Sequence, residues 1–125
     1  MAKSYYLDNA VLNAVLNSSA YTSPSQIQVG LFNVSPGPGG GGQEVTDASY
    51  SRQAVTFGSP ANGVVANNAA VTFPPAVNPW GTIVAFGLFD QGGNLLYYGA
   101  LLASKVINSG DQLTFAVGGI TVTET

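Results

Sequence analysis

Residues that could carry chemistry are few in this sequence of 125 residues. It contains no histidine and no cysteine, which excludes a Ser-His-Asp triad, a thiol nucleophile and a zinc–thiolate site. An ordinary domain has about 25% charged residues, whereas this chain has 7%. Its charged residues are Lys3, Arg52, Lys105, Asp8, Glu44, Asp47, Asp90, Asp111 and Glu124. The composition predicts a protein that is not an enzyme.

Glu44 and Asp47 are the most closely spaced carboxylates of the chain. A glycosidase needs two carboxyl groups held rigidly across the scissile bond. These two follow a stretch of prolines and glycines at residues 35–43, which predicts an exposed, flexible loop. We therefore interpret both residues as solvated turn charges and expect no catalytic residues.

Gly37, Gly39 and Gly42 formally match the G-x-G-x-x-G pattern of dinucleotide-binding loops. That pattern requires a helix to begin at once, so that its N-terminus can hold the pyrophosphate. No helical spacing of apolar residues follows, and the lysine of a phosphate-binding loop is missing. We expect no cofactor.

Oxygen donors in turns raise the question of a calcium site. Asp90, Asn94 and Asp111 could contribute ligands, but their spacing matches no calcium-loop pattern. Turn formation explains Asp90 and Asn94 more simply, and no metal site is predicted.

Aromatic residues raise the alternative of sugar binding. Trp80, Tyr97 and Tyr98 could form a stacking platform. Aromatic residues within apolar strands more often belong to a core, which is the interpretation we favour.

Arg52 is the charge of greatest interest, because an arginine in so apolar a chain is expected to pair with a carboxylate. The partner would be Asp47 locally, or an acidic residue across an interface. The candidate interaction surface comprises Arg52, Asp47, Tyr50, Trp80 and Asn62. The loop 35–47 and the turn 58–68 are further candidate interaction surfaces, because both are expected to be exposed and able to adapt.

Net charge and polarity indicate the class of partner. The net charge is −3 and the three basic residues are dispersed, so we expect no nucleic-acid partner. No apolar run reaches transmembrane length and the N-terminus does not resemble a signal peptide, so no membrane partner is expected. A nearly uncharged surface is typical of a protein packed against other proteins, although a monomer with a neutral polar coat stays open.

Hydrophobic spacing predicts one α-helix followed by β structure. Apolar residues recur at helical intervals over 4–17, and Ser4 can cap the N-terminus. Because apolar side chains surround most of this helix, we expect it to be buried on most sides. The β region spans 26–124, with strands predicted at 26–34, 52–57, 69–73, 82–90, 94–103, 112–117 and 119–124.

These elements predict a mainly β protein: a compact antiparallel β-sandwich or barrel-like sheet of about seven short strands with one N-terminal helix. Residues 1–125 would form a single virion structural domain, an assignment that rests also on the resemblance described next. The segments 82–90 and 94–103 should form a hairpin of central strands covered on both faces. Asn62-Gly63 predicts a turn between 52–57 and 69–73, and 112–117 should pair with 119–124.

The sequence also resembles a family of small tailed-bacteriophage proteins commonly labelled tail fibre proteins. The resemblance covers nearly the whole chain. It is carried by 70–74, 80–90, 93–99, Lys105 and 110–111, with Ala20-Tyr-Thr-Ser-Pro24, Val29-Gly-Leu-Phe32 and Tyr50-Ser-Arg52 upstream. Similar sequences often have a histidine two residues after the threonine that follows Trp-Gly, where this chain has Ile83-Val84-Ala85.

The resemblance implies a non-enzymatic structural protein of the virion, assembled in the bacterial host cytoplasm. Its partners would be other tail or capsid subunits and further copies of itself, with a trimer as our expectation. Two alternatives stay open. One is a capsid decoration (cement) protein that stabilises the head, and the other is an adsorption module that binds a receptor or host-surface glycan.

Overall fold

The main sheet and one N-terminal helix organise the protein. A computed structural model describes residues 2–124, and within them lie one helix and ten strands. Their bounds are β1 Ala2–Lys3, α1 Tyr5–Leu16, β2 Ile27–Val34, β3 Gln43–Glu44, β4 Gln53–Val55, β5 Val64–Ala66, β6 Val71–Thr72, β7 Gly81–Phe89, β8 Leu95–Ile107, β9 Thr114–Phe115 and β10 Thr121–Thr123.

All strand pairs in the described residues are antiparallel. Six strands form the main sheet in the order β1-β8-β7-β2-β3, and β4 pairs with the same edge of β2 as β3 does. Two ribbons, β5–β10 and β6–β9, complete the structure. The predicted mainly β fold with one N-terminal helix is confirmed. The sheets stay open rather than closing into a barrel, and three of the short strands (β1, β3 and β5) had no recognisable sequence pattern.

The predicted hairpin is present as β7 and β8. Its turn is held by Asp90, whose carboxylate accepts hydrogen bonds from the backbone N–H groups of Gly92 and Asn94, each 2.9 Å long. However, β8 is central only where β1 covers Tyr97 and Tyr98. Beyond them it forms an edge of the sheet, and residues 102–106 are exposed. The expectation that both strands are covered on each face is therefore wrong for β8.

One predicted strand pair is also wrong. The segments around β9 and β10 do not pair with each other, because β9 pairs with β6 and β10 with β5. Asn67, which is 2% exposed, ties these ribbons together: its amide donates to Ala116 O (2.9 Å) and its Oδ1 accepts from Ile120 N (2.8 Å). These bonds satisfy a buried polar side chain between the ribbons.

The Asn62-Gly63 turn exists, but it closes a smaller loop than predicted. Both residues have positive φ, 53° and 75°, as a type I′ turn requires. Ala61 and Val64 exchange two backbone hydrogen bonds of 3.0 Å across it. The turn therefore leads into β5 and does not join β4 to β6, which belong to different sheets.

The larger core lies between the main sheet and the two ribbons. Phe73, Ile83 and Ile120 are fully buried there. Phe73 is ringed by aromatic neighbours, with ring centroids 6.0 Å from Tyr50, 6.5 Å from Trp80 and 6.4 Å from Phe115. A smaller cluster on the main sheet comprises Phe32, Ala85, Phe89 and Leu95.

The helix begins and ends almost where the sequence predicts. The Ser4 hydroxyl accepts a hydrogen bond from the backbone N–H of Leu7 (3.1 Å), which caps the N-terminus. The expectation of burial on most sides is wrong, because Leu7 is the helical residue that is buried. The helix contacts mainly β8, near an edge of the sheet, so little of its circumference is covered.

Candidate functional site

Two glycines make room for the candidate site on the main sheet. Gly30 of β2 and Gly87 of β7 lie directly opposite each other. A Cβ atom on Gly30 would lie 2.8 Å from Glu44 Oε2 and 3.0 Å from Tyr50 Oη, and one on Gly87 would lie 2.9 Å from Leu95 Cδ1. Side chains from neighbouring segments therefore pack directly against the backbone of this sheet.

Glu44, Tyr50 and Arg52 form the polar centre above these glycines. Arg52 donates twice to Glu44, from Nε to Oε2 (2.9 Å) and from Nη2 to Oε1 (2.8 Å). Tyr50 donates its hydroxyl proton to Glu44 Oε2 (2.6 Å) and accepts a hydrogen bond from Leu31 N (2.9 Å). The Arg52 guanidinium lies 3.6 Å from the centroid of the Phe89 ring. This combined ion pair and cation–π contact fixes the arginine in place.

The electrostatics keep this pair ionised. Burial alone would raise the pKa of Glu44, but the hydrogen bonds from Arg52 and Tyr50 outweigh it and lower the pKa below its usual value. The hydrogen bond to Glu44 raises the pKa of Arg52, and burial raises the pKa of Tyr50. Since a general acid needs a raised pKa, Glu44 is unsuited to that role.

Asp47 and Trp80 belong to a second network beside the first. The Ser49 hydroxyl donates to Asp47 Oδ2 and accepts from Trp80 Nε1 (3.1 Å) and Val77 N (3.1 Å). The hydrogen bonds from Ser49 lower the pKa of Asp47 to about 2. Trp80 is 4% exposed and packs edge-on against Tyr50, with ring centroids 5.5 Å apart.

The structure thus unites four of the five residues predicted as an interaction surface. Tyr50 links the Arg52 pair to the network of Asp47 and Trp80. The predicted local pairing of Arg52 with Asp47 is wrong, because Glu44 occupies the guanidinium and Ser49 binds Asp47. Trp80 lies in the core, and its ring is not available to a partner. Asn62 lies on the exposed turn before β5, and within residues 2–124 no hydrogen bond joins it to the cluster.

A cleft of about 570 Å³ opens beside Arg52 and Glu44. One side is formed by the start of α1 and another by the loop between β2 and β3, and Tyr5 N donates a 2.8 Å hydrogen bond to Pro38 O between them. The loop is exposed at 39–42, as predicted. Gly42 is required there, since its φ is +72° and a Cβ would lie 2.3 Å from Ser35 O.

No arrangement for catalysis emerges from the described residues. Glu44 and Asp47 are engaged in separate hydrogen-bond networks, and within residues 2–124 no group of three acidic side chains could hold a metal ion. In the same range no helix is long and apolar enough to cross a membrane. What the cluster offers is a rigid array of hydrogen-bond donors and acceptors at the wall of a cleft.

Comparison with known protein families identifies the family of this chain. The family described as "Podophage GP4 fiber I protein gp80" matches residues 2–123. The chain belongs to this fibre protein family. A search of curated proteins found no match. The predicted resemblance to tail fibre proteins is therefore confirmed, and this fibre protein is a structural component of a tailed-phage virion.

The sequence of this fibre protein does not predict the role of several residues of the site. The sequence predicts Glu44 as a turn charge and not as the partner of Arg52, and it predicts Phe89 only as part of a strand. The two opposed glycines carried the available signal, because a glycine inside an apolar strand often marks the close approach of another group. Nothing in the spacing along the chain indicated that Gly30 and Gly87 face each other.

Proposed function

We propose that this chain is a non-enzymatic building block of a phage fibre that works by forming contacts with copies of itself and with other virion proteins. Residues 1–125 act in this proposal as one structural domain. Arg52 and its neighbours stabilise the subunit, and the assembly contact is made by helix α1.

The observation that carries this proposal is the exposed apolar stripe of α1. Leu12, Val15 and Leu16 are 54%, 73% and 71% exposed, and their i, i+3, i+4 spacing puts them on one helical face. Leu7 and the half-buried Ala10, Val11 and Ala14 occupy the opposite face. A helix with two apolar faces, of which its own sheet covers one, is suited to burial against a second copy.

The total surface supports this interpretation. A monomer of 12.7 kDa should expose about 6,200 Å², whereas this chain exposes 6733 Å². Burial of apolar surface would drive the association, at about 25 cal/mol per Å².

Light scattering coupled to size-exclusion chromatography tests the proposal. The wild-type chain should elute with the mass of a small oligomer, and our expectation is a trimer. A Leu12→Ser/Leu16→Ser variant should elute at the mass of a single chain with an unchanged circular dichroism spectrum. Val117→Ser is the matched control, since Val117 is 64% exposed outside the helix, and it should keep the wild-type mass. A monomeric wild-type chain would refute the proposal.

Antibody-gold labelling of intact particles tests where the subunit acts. The fibre family favours the tail, so gold should lie on the tail or its fibres. Gold spread over the head would instead favour the capsid decoration alternative.

A further inference from the structure

The cleft beside Arg52 has the size and the walls of a small-ligand site. Its volume of about 570 Å³ falls within the range of about 300–1,000 Å³ typical of such sites. Its polar wall contains Glu44, Arg52 and Asn94, and its apolar floor contains Phe32 and Phe89. The fibre contacts proposed above do not use this cleft.

The polar wall retains unused hydrogen-bonding capacity. Arg52 has five N–H donors, and two of them bind Glu44. Within residues 2–124 its Nη1 makes no hydrogen bond. Within residues 2–124 Glu44 Oε1 accepts one hydrogen bond, from Arg52, and can accept another. The wall therefore presents donors and an acceptor side by side on rigid, planar groups.

This pattern is complementary to neighbouring hydroxyl groups, since each hydroxyl can both donate and accept a hydrogen bond. The charges of the residues that line the cleft restrict the class of ligand further. Glu44 and Arg52 are the charged residues among those that line the cleft, and they neutralise each other. A ligand with its own charge would find no unpaired counter-charge there, so a neutral polyhydroxylated ligand fits best.

Two tyrosines stand at the rim of the cleft. Tyr5 and Tyr6 lie at the start of α1 and are 61% and 47% exposed. Exposed aromatic rings of this kind provide an apolar surface with a polar tip. The C–H face of a pyranose ring can pack on such a surface while its hydroxyl groups reach the polar wall.

We propose that this cleft binds a neutral saccharide, with Arg52 donating hydrogen bonds to its hydroxyl groups, the carboxylate of Glu44 and the side-chain oxygen of Asn94 accepting them, and Tyr6 packing against the sugar ring. The site is independent of the apolar stripe of α1. Loss of saccharide binding and loss of assembly are therefore separable in experiment.

Protein-observed NMR tests the proposal on the full chain. The probes are the methyl glycosides of glucose, galactose, mannose and N-acetylglucosamine, with glucuronate as the acidic comparison and glycerol as the control for nonspecific effects. At least one neutral glycoside should cause saturable shifts in the amide signals of Gly39, Gly41, Glu44 and Asn94, and glycerol should not.

Two variants locate the binding. Tyr6→Ala should weaken the affinity by roughly three- to tenfold, because the exposed ring is lost without disturbing the core. Tyr21→Ala removes a tyrosine that is 40% exposed and does not line the cleft, and its affinity should match the wild type.

Three results would overturn the proposal: no saturable shift with any neutral glycoside, binding of glucuronate alone, or equal affinity in the Tyr6→Ala and Tyr21→Ala variants. None of these results depends on the mass of the assembled protein, so the proposed fibre role is tested independently by that mass.

Discussion

The core around Phe73 and the helix α1 are both rich in apolar residues, yet the fold treats them differently. Phe73 is fully buried between the main sheet and a ribbon, with three aromatic rings around it. Leu16 of the helix is 71% exposed. The difference shows that burial depends on how many elements surround a side chain. An element near a sheet edge has neighbours on one side, and its other apolar face is available for assembly.

The largest expected effect comes from replacing a residue of each region by alanine. Phe73→Ala should lower the free energy of unfolding by about 3–5 kcal/mol, because it leaves a cavity in a closely packed core. Leu16→Ala should change it by less than about 0.5 kcal/mol at protein concentrations low enough to dissociate the assembly. Urea unfolding of both variants makes the measurement. Comparable losses would show that the helix is packed within the single chain after all.

A second comparison sets the glycine beneath the Arg52 cluster against a glycine of the exposed loop. Gly30→Ala should destabilise the fold by about 1–3 kcal/mol, because the new methyl group meets Glu44 and Tyr50 at about 3 Å. Gly39→Ala is the matched control, since no atom lies within 4 Å of its Cβ position, and should be nearly neutral. Thermal or urea unfolding checks both, and an equally stable Gly30→Ala variant would contradict the close approach.

The smallest expected effect is a pH dependence that belongs to the cluster and not to the uncharged core. The folded-state pKa of Glu44 lies below the reference value of 4.5. Its contribution to stability is therefore present above about pH 4.5 and is lost as the pH falls through the folded-state pKa. Between about pH 6 and about pH 3, Glu44→Gln should lose less stability than the wild type.

Asp47, with a pKa of about 2, and the lowered pKa values of Asp90 and Glu124 keep some of this dependence in the variant. Ile120→Ala is the control, since Ile120 is fully buried in the uncharged core and its loss should leave the pH slope of the wild type intact. Identical slopes for wild type and Glu44→Gln would mean that the ion pair does not contribute.

The elements with strong local patterns were predictable. The helix, β2 and the β7–β8 hairpin depend on apolar periodicity and on the Ser4 cap and Asp90 turn, which act within a few residues. The strand pairings were less predictable. Although β9 and β10 are adjacent in sequence, they belong to different ribbons. Asn67 holds both segments by hydrogen bonds to Ala116 and Ile120, some fifty residues away in the chain. The short strands β1 and β3 have too few residues to show any period.

The candidate site was predictable in its residues but not in its contacts. Arg52 and Tyr50 stood out because charge is scarce in this chain, and the need for a carboxylate partner follows from burying a cation. The choice of Glu44 over Asp47 follows from the pairing of β3 and β4 along the same edge of β2, which brings Glu44 to Arg52. Ser49 meanwhile binds Asp47 and links it to Trp80.

The sequence by itself determined a mainly β fold with an N-terminal helix and the absence of histidine and cysteine chemistry, because composition and local periodicity act residue by residue. The phage fibre family was indicated by the resemblance of motifs along nearly the whole chain and is shown by the family match over residues 2–123. Only the tertiary structure decided that α1 exposes an apolar face, that Gly30 meets Gly87, and that Arg52 lies on Phe89 beside a cleft. These features depend on strand register and sheet edges, which join residues far apart in the chain.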